Sequence, residues 1–242
     1  MSMLALQSVS KTFGGVRAVD NVSFGVARGE VVGLMGANGA GKTTLFSLIA
    51  GHERPDAGAI TLQGRTIVGL RPDGVCRLGI ARTFQIVRPF RGLSVLENVL
   101  VGVTFGRTRP AGASASRDAA MTCLEVMSLA DQAGRPAGEL TLSGQKRLEV
   151  ARALATGPDL LLLDEVMAGL TPGEVRDMMA TLLCLRTEQG VTLLVIEHVM
   201  HALMELSDRI VVLHHGRKIA EGAPADIADE QAVRDAYLGD GT

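Results

Sequence analysis

Three short apolar runs punctuate this 242-residue chain: Val31-Val32-Gly33-Leu34-Met35, Leu160-Leu161-Leu162-Leu163 and Val191-Thr192-Leu193-Leu194-Val195-Ile196. Brief unbroken runs bounded by turn residues fit strands buried on both faces, as in the middle of a parallel sheet. Elsewhere the pattern changes. Leu4 to Phe24 alternates apolar with polar residues around Gly14-Gly15, which predicts a β-meander with a turn. Thr44 to Ala50 has a helical period, with Gly51 as its C-cap. Ala57 to Gly64 and Gly79 to Gln85 read as two more strands. Ser94-Val95-Leu96-Glu97 is a capping box opening a helix to about Val103. Gly106 to Ser116 is rich in Gly, Ala, Ser and Arg around Pro110 and predicts a mobile loop, after which Met121 to Leu129 resumes a helical period. Further helices are predicted through Ala155, after Pro172, and from Pro224 to Tyr237; Ile210 to Glu221 predicts a hairpin around His214-His215-Gly216. The alternation of strands and helices implies an α/β fold, with a mainly parallel sheet and right-handed crossovers. Gln85 to about Gly138 reads as a helical insertion into it.

The first apolar run ends in Gly36-Ala37-Asn38-Gly39-Ala40-Gly41-Lys42-Thr43, and Thr44 opens the helix that follows. Strand, Gly-rich turn and helix in this order make a concave nest of backbone N–H groups at a helix N-terminus, suited to phosphates. Lys42 supplies a point charge for the terminal phosphates, and Thr43 a hydroxyl for the Mg²⁺ they carry. The expected phosphate-binding set is therefore Gly36, Asn38, Gly39, Ala40, Gly41, Lys42, Thr43 and Thr44.

Two adjacent carboxylates, Asp164 and Glu165, close the four-leucine run. Ligands of open α/β sheets sit at the carboxyl ends of strands. That places Asp164 to hold Mg²⁺ and Glu165 to polarise a water in line with the terminal phosphate, against the plainer reading of a polar strand exit. Glu197-His198 ends the next apolar run, so His198 could hydrogen-bond the terminal phosphate. His198 and His201 are spaced like a metal pair, with no third ligand evident in the sequence. Phe13 is either a core residue or a platform for a nucleotide base, and Gln85 alone reads as an ordinary strand-end residue.

Composition narrows the class. Hydrophobic residues make up 47% and charged residues 21%, a globular balance, and the net charge of −2 gives no footprint of nucleic-acid binding. Cys76, Cys123 and Cys184 are far apart and odd in number, so each is expected to be a small apolar packer. The N-terminus lacks the features of a signal peptide, and no run approaches the roughly 18 apolar residues needed to cross a bilayer. A reducing cytosolic setting follows as the expectation, with any service to a membrane coming through a docked partner.

With the phosphate loop, Gln85, the segment near Ser143, Asp164-Glu165 and His198 in this order, the chain resembles the ATPase subunit of ABC transporters over essentially its whole length. The resemblance implies a P-loop NTPase (RecA-like) core with an antiparallel β subdomain, covering 1–85 and 150–242, and a helical subdomain over 86–149 that carries the signature segment. ATP and Mg²⁺ are the implied ligands. Phe13 matches the aromatic that stacks on adenine. Gln85 matches the lid glutamine that joins core to helical subdomain and reaches the Mg²⁺ site. Asp164 matches the Mg²⁺-associated aspartate, Glu165 the catalytic glutamate and His198 the switch histidine. Two subunits, identical or not, would close head-to-tail on two ATP molecules, each site using one subunit's phosphate loop and the other's signature segment. The implied partners are transmembrane permeases at the cytoplasmic face of the membrane and, indirectly, a secreted substrate-binding protein. Gly79-Ile80-Ala81-Arg82-Thr83-Phe84-Gln85, Val87-Arg88-Pro89-Phe90 and Leu140 to Glu149 look like the ATPases of branched-chain amino acid importers. Similar subunits serve lipid or lipopolysaccharide export, and soluble ones iron–sulfur cluster assembly.

Three positions depart from the family pattern. The usual Leu-Ser-Gly-Gly-Gln signature fits either as Leu142-Ser143-Gly144-Gln145, one glycine short, or as Leu140 to Gly144. The second register keeps the distance to Ala151-Arg152-Ala153-Leu154, and makes Thr141 the hydroxyl, with Ser143 at the second glycine position and Gly144 closing the set. Val166 stands where a proline commonly follows the glutamate, and Ala168-Gly169-Leu170-Thr171 lacks the usual terminal aspartate.

Overall fold

The structure, a computed structural model, describes residues 2–85, 87–108, 110–231 and 233. In chain order the elements are β1 (Ser2–Phe13), β2 (Val16–Ala27), β3 (Val31–Met35), α1 (Lys42–Ile49), β4 (Ala57–Leu62), β5 (Arg65–Thr66), α2 (Pro72–Arg77), β6 (Ile80–Arg82), α3 (Val95–Phe105), α4 (Ala113–Val126), α5 (Leu142–Leu154), β7 (Leu160–Asp164), α6 (Pro172–Gln189), β8 (Thr192–Ile196), α7 (Met200–Leu206), β9 (Arg209–His214), β10 (Arg217–Gly222) and α8 (Pro224–Asp229). They fall into two compact units, Met1–Val75 with Thr192–Thr242, and Cys76–Val191.

In the first unit β3 pairs in parallel with β8 on one side and β9 on the other, Val32 opposite Leu194 and Leu34 opposite Val211. Every residue of β3 and β8 is buried, as their unbroken apolar runs require. The hairpin expected at His214-His215-Gly216 is present, with β10 antiparallel to β9. A separate antiparallel sheet has the order β2-β1-β4-β5, and Gly14-Gly15 turns the chain so that Phe13 opposes Val16. Leu34, Leu45, Phe46 and Ile49 are fully buried. Each such side chain contributes roughly 1.5–3 kcal/mol relative to exposure.

In the second unit β6 pairs in parallel with β7, Ala81 opposite Leu161, and α3, α4 and α5 pack together. The Ser94 capping box forms as expected. Asn98, fully buried, holds the preceding loop: its Oδ1 accepts from Phe90 N at 2.9 Å, and its Nδ2 donates to Phe90 O at 3.1 Å and Ser94 O at 2.9 Å.

The structure differs from the pattern reading in four places. Helix α4 starts at Ala113, inside the stretch expected to be loop, because Gly112 caps a segment in which Ala113, Ala115, Ala119 and Ala120 are strong helix formers. Elements β5 and α2 are present where no pattern predicts them, since each is too short to show a period. Helix α8 ends at Asp229, and Tyr237 lies outside the described residues. The cysteines are half-buried rather than core residues: burial pushes the Cys123 thiol up to about 11, and Cys184 is hydrogen-bonded to Glu188. No helix among the described residues is long and apolar enough to cross a membrane.

Candidate nucleotide site

The expected site residues fall on both units, and each part is built by its own. In the first unit, β3 delivers the chain into the Gly-rich loop and α1 takes it away. Two glycines are obligatory. Gly36 and Gly41 have φ of 155° and 101°, and a Cβ on them would sit 2.4 Å from Leu213 O and 2.3 Å from Ala18 O. No side chain fits either place. Gly41 is the N-cap of α1, and the first turn of that helix contains no acidic side chain to compete for an anion. Lys42 is buried and folds back across the loop, its Nζ donating to Gly36 O at 2.6 Å and Ala37 O at 3.0 Å. Asn38, Gly39 and Thr43 line the loop surface, and Ala40 is buried beneath them. In the same unit Phe13 lies outside the core, 43% exposed, with Lys11 Nζ 5.1 Å from its ring centroid. His198 is exposed just after β8.

In the second unit the carboxyl ends of β6 and β7 gather the acidic machinery. Asp164 is 1% exposed; its Oδ2 accepts from Arg82 Nη2 at 2.9 Å, and its Oδ1 is buried with no hydrogen-bond partner among the described residues. Burial pushes the Asp164 carboxyl above the usual carboxylate range, and the Arg82 guanidinium opposes that rise. A buried carboxylate oxygen left over after its twin is paired is the hard oxygen donor that Mg²⁺ takes, so the residue present fits that ion. Glu165 is left-handed at φ 52°, a strained conformation for a residue with a side chain, and its Oε2 accepts from Gln85 Nε2 at 2.9 Å. Glu165, Gln85, Lys146, Leu142 and Gly169 line one cavity of about 630 Å³.

Helix α5 begins beside this cavity. Thr141 is its N-cap, accepting from Gly144 N at 3.2 Å, while the Ser143 hydroxyl is hydrogen-bonded to Glu174. Thr171, where the family usually has an aspartate, caps α6 in a capping box with Glu174, and Val166 is buried. Three residues of this unit have no role in the sequence pattern: Arg82, Lys146 and Glu149. Glu149 is buried, accepts from Phe84 N at 2.5 Å and has its carboxyl raised by that burial. The sequence signal for all three is a charge at a position where the helical or strand pattern demands an apolar residue.

The sequence profile of the ABC transporter family matches residues 19–168. The chain belongs to the ABC transporter family. A second profile, that of the branched-chain amino acid ATP-binding cassette transporter, matches residues 217–242 of this cassette. The cassette is 41% identical to the high-affinity branched-chain amino acid transport ATP-binding protein LivG of Salmonella typhimurium, over 98% of each chain. It is 40% identical to BraF of Pseudomonas aeruginosa, again over 98% of each, and 36% identical to the lipopolysaccharide export system ATP-binding protein LptB of Acidithiobacillus ferridurans, over 98% of this chain and 97% of that one. Among solved structures, an ATP-binding cassette of an ABC transporter in its ADP conformation superposes with a TM-score of 0.89 at 31% identity, covering 99% of both chains. A dimeric cassette in a post-hydrolysis state, bound to ADP and Pi, gives 0.83 at 28% identity over 92% of this chain and 99% of that one.

Proposed function

We propose that this ABC ATPase powers the import of branched-chain or related amino acids. The observation that carries the reading is end-to-end similarity to LivG and BraF, at 41% and 40% identity. In this reading the Gly-rich loop and Lys42 hold the phosphates of ATP, and Phe13 receives the adenine on its exposed ring. Thr43, Asp164 and Gln85 are the residues that would hold Mg²⁺. When bound, Mg²⁺ neutralises charge on the terminal phosphates. Glu165 takes up and orients the attacking water, and His198 steadies the terminal phosphate. Thr141, Ser143 and Gly144 form the segment offered to the nucleotide of a second ATPase subunit, identical or homologous, with Thr141 in the hydroxyl position. The helical subdomain spanning 86–149 passes the resulting motion to two permeases, at which the chain docks peripherally on the cytoplasmic face. A secreted binding protein completes the importer.

Co-purification from detergent-solubilised native membranes tests the assignment. Two multi-spanning permeases and an amino-acid-binding protein encoded beside them are the expected company. Recovery with export components, or with no permease at all, overturns the importer reading. For the chemistry, Glu165→Gln is expected to lower ATP turnover by about 10²–10⁴-fold, the range for a positioned acid–base group, with ATP still bound.

A further inference from the structure

We infer that Lys146 is a positioning residue for hydrolysis, the link through which helix α5 sets the placement of Glu165 and Gln85. The inference rests on the reading of Glu165 as the residue that orients water. Lys146 is 4% exposed, on the second turn of α5, where a helix packed on a sheet would ordinarily place an apolar side chain. Its ammonium donates to the main-chain carbonyl of Glu165 at 2.7 Å and reaches that of Gln85 at 3.4 Å. One buried cation therefore grips the backbone of both residues, whose side chains also bond each other at 2.9 Å.

Glu165 needs such a grip. Its φ of 52° is a conformation that L-residues with side chains leave unless the surroundings over-determine it. The carbonyl that Lys146 holds belongs to that same strained residue and also accepts a turn bond from Ala168 N, at 3.3 Å. Lysine has the right chemistry here, because a compact charge with three rotatable donors can serve two carbonyls at once. Lys146 also sits five positions beyond the Thr141 cap on a continuous helix, so a shift of Thr141–Gly144 moves the ammonium and, with it, Glu165.

The test compares kcat, KM for ATP and thermal midpoint for the full chain and for three variants, Lys146→Met, Lys146→Gln and Glu165→Gln. Methionine keeps the stem without a donor; the glutamine amide keeps two N–H donors on a slightly shorter stem. Lys146→Met is expected to lower kcat by about 10–100-fold, as for a sub-ångström to 1 Å misplacement of a reacting group, with KM within about threefold. Lys146→Gln is expected to recover at least about fivefold of that loss. Equal losses in the two variants, or a Lys146→Met loss below about threefold while Glu165→Gln is inactive, overturn the inference. If Lys146→Met does not fold, Lys146→Leu, which likewise carries no donor, takes its place: a kcat loss of about 10-fold or more without a KM change supports the link, and unchanged kcat refutes it. Full turnover in Glu165→Gln would instead remove the reading of Glu165 itself, a result distinguishable from either.

Discussion

Replacing Arg82 with methionine removes the partner of the most buried ion pair described in this chain and leaves the volume largely in place. Arg82 is 7% exposed and Asp164 1%, with nitrogen and oxygen 2.9 Å apart. Removing one member of such a pair strands a charge in low dielectric, at a cost of about 3–5 kcal/mol. The lost contact of the guanidinium over the half-exposed Phe84 ring, 5.2 Å to its centroid, adds roughly 0.5–1 kcal/mol. At roughly 2–4 °C per kcal/mol for a chain of this size, the combined loss of about 3.5–6 kcal/mol should lower the thermal midpoint by about 7–24 °C. Urea unfolding measures the free energy directly, provided the slope of the transition is unchanged. The double variant Arg82→Met/Asp164→Leu should regain at least half of the loss, because the penalty lies in desolvating an unpaired charge rather than in a missing contact. A loss below about 1 kcal/mol, the value of an exposed pair, would refute the reasoning. So would a double variant no more stable than the single one.

Gly41→Ala should abolish nucleotide binding and lower the thermal midpoint, since its Cβ would meet Ala18 O at 2.3 Å; a fluorescent-nucleotide titration and a melt check both. Thr141→Ala removes the α5 cap and should cost about 1 kcal/mol in urea unfolding, with serine restoring it. Burial holds the Glu149 carboxyl above its usual value, so its contribution to stability is present at acid pH and fades as pH rises through the folded value. Stability of Glu149→Gln relative to wild type should therefore improve from about pH 4 toward neutrality, in unfolding curves taken across that window; a difference independent of pH would refute it.

The parts of the fold legible in the sequence are those whose signals are local. The phosphate loop is a strand, a set of glycines and a helix in one short stretch, and Ser94 with Glu97 writes a cap within a single turn. The start of helix α4 is harder to see, because a stretch rich in Gly, Ser and Arg around Pro110 resembles a loop until Ala113 and its alanines are weighed for propensity. The candidate site is legible as residue types and only partly as geometry. Arg82 meets Asp164 across 82 positions, and Lys146 meets Gln85 across 61, separations over which no periodicity speaks. A buried lysine or glutamate on a helix announces that a partner exists but not which one. The two hydroxyls near the start of α5 show the same limit: matching letters points to Ser143 and matching the distance to Ala151 points to Thr141, whereas the structure gives the cap to Thr141 and pairs Ser143 with Glu174.

Two glycine turns of the first unit look interchangeable on paper and are not. Around Gly14 and Gly15 nothing lies within 4 Å of the space a side chain would occupy, while a Cβ on Gly216 would sit 2.9 Å from Ala18 O, and the Gly216 N–H is given to Ala40 O of the Gly-rich loop at 3.1 Å. The first turn is thus the place to splice an epitope, a dye-bearing cysteine or a few extra residues into this subunit, with the neighbouring Phe13 ring, proposed above to receive adenine, as the group to watch. The second turn forms part of the phosphate loop's own scaffold, and the same insertion there would disarm the subunit.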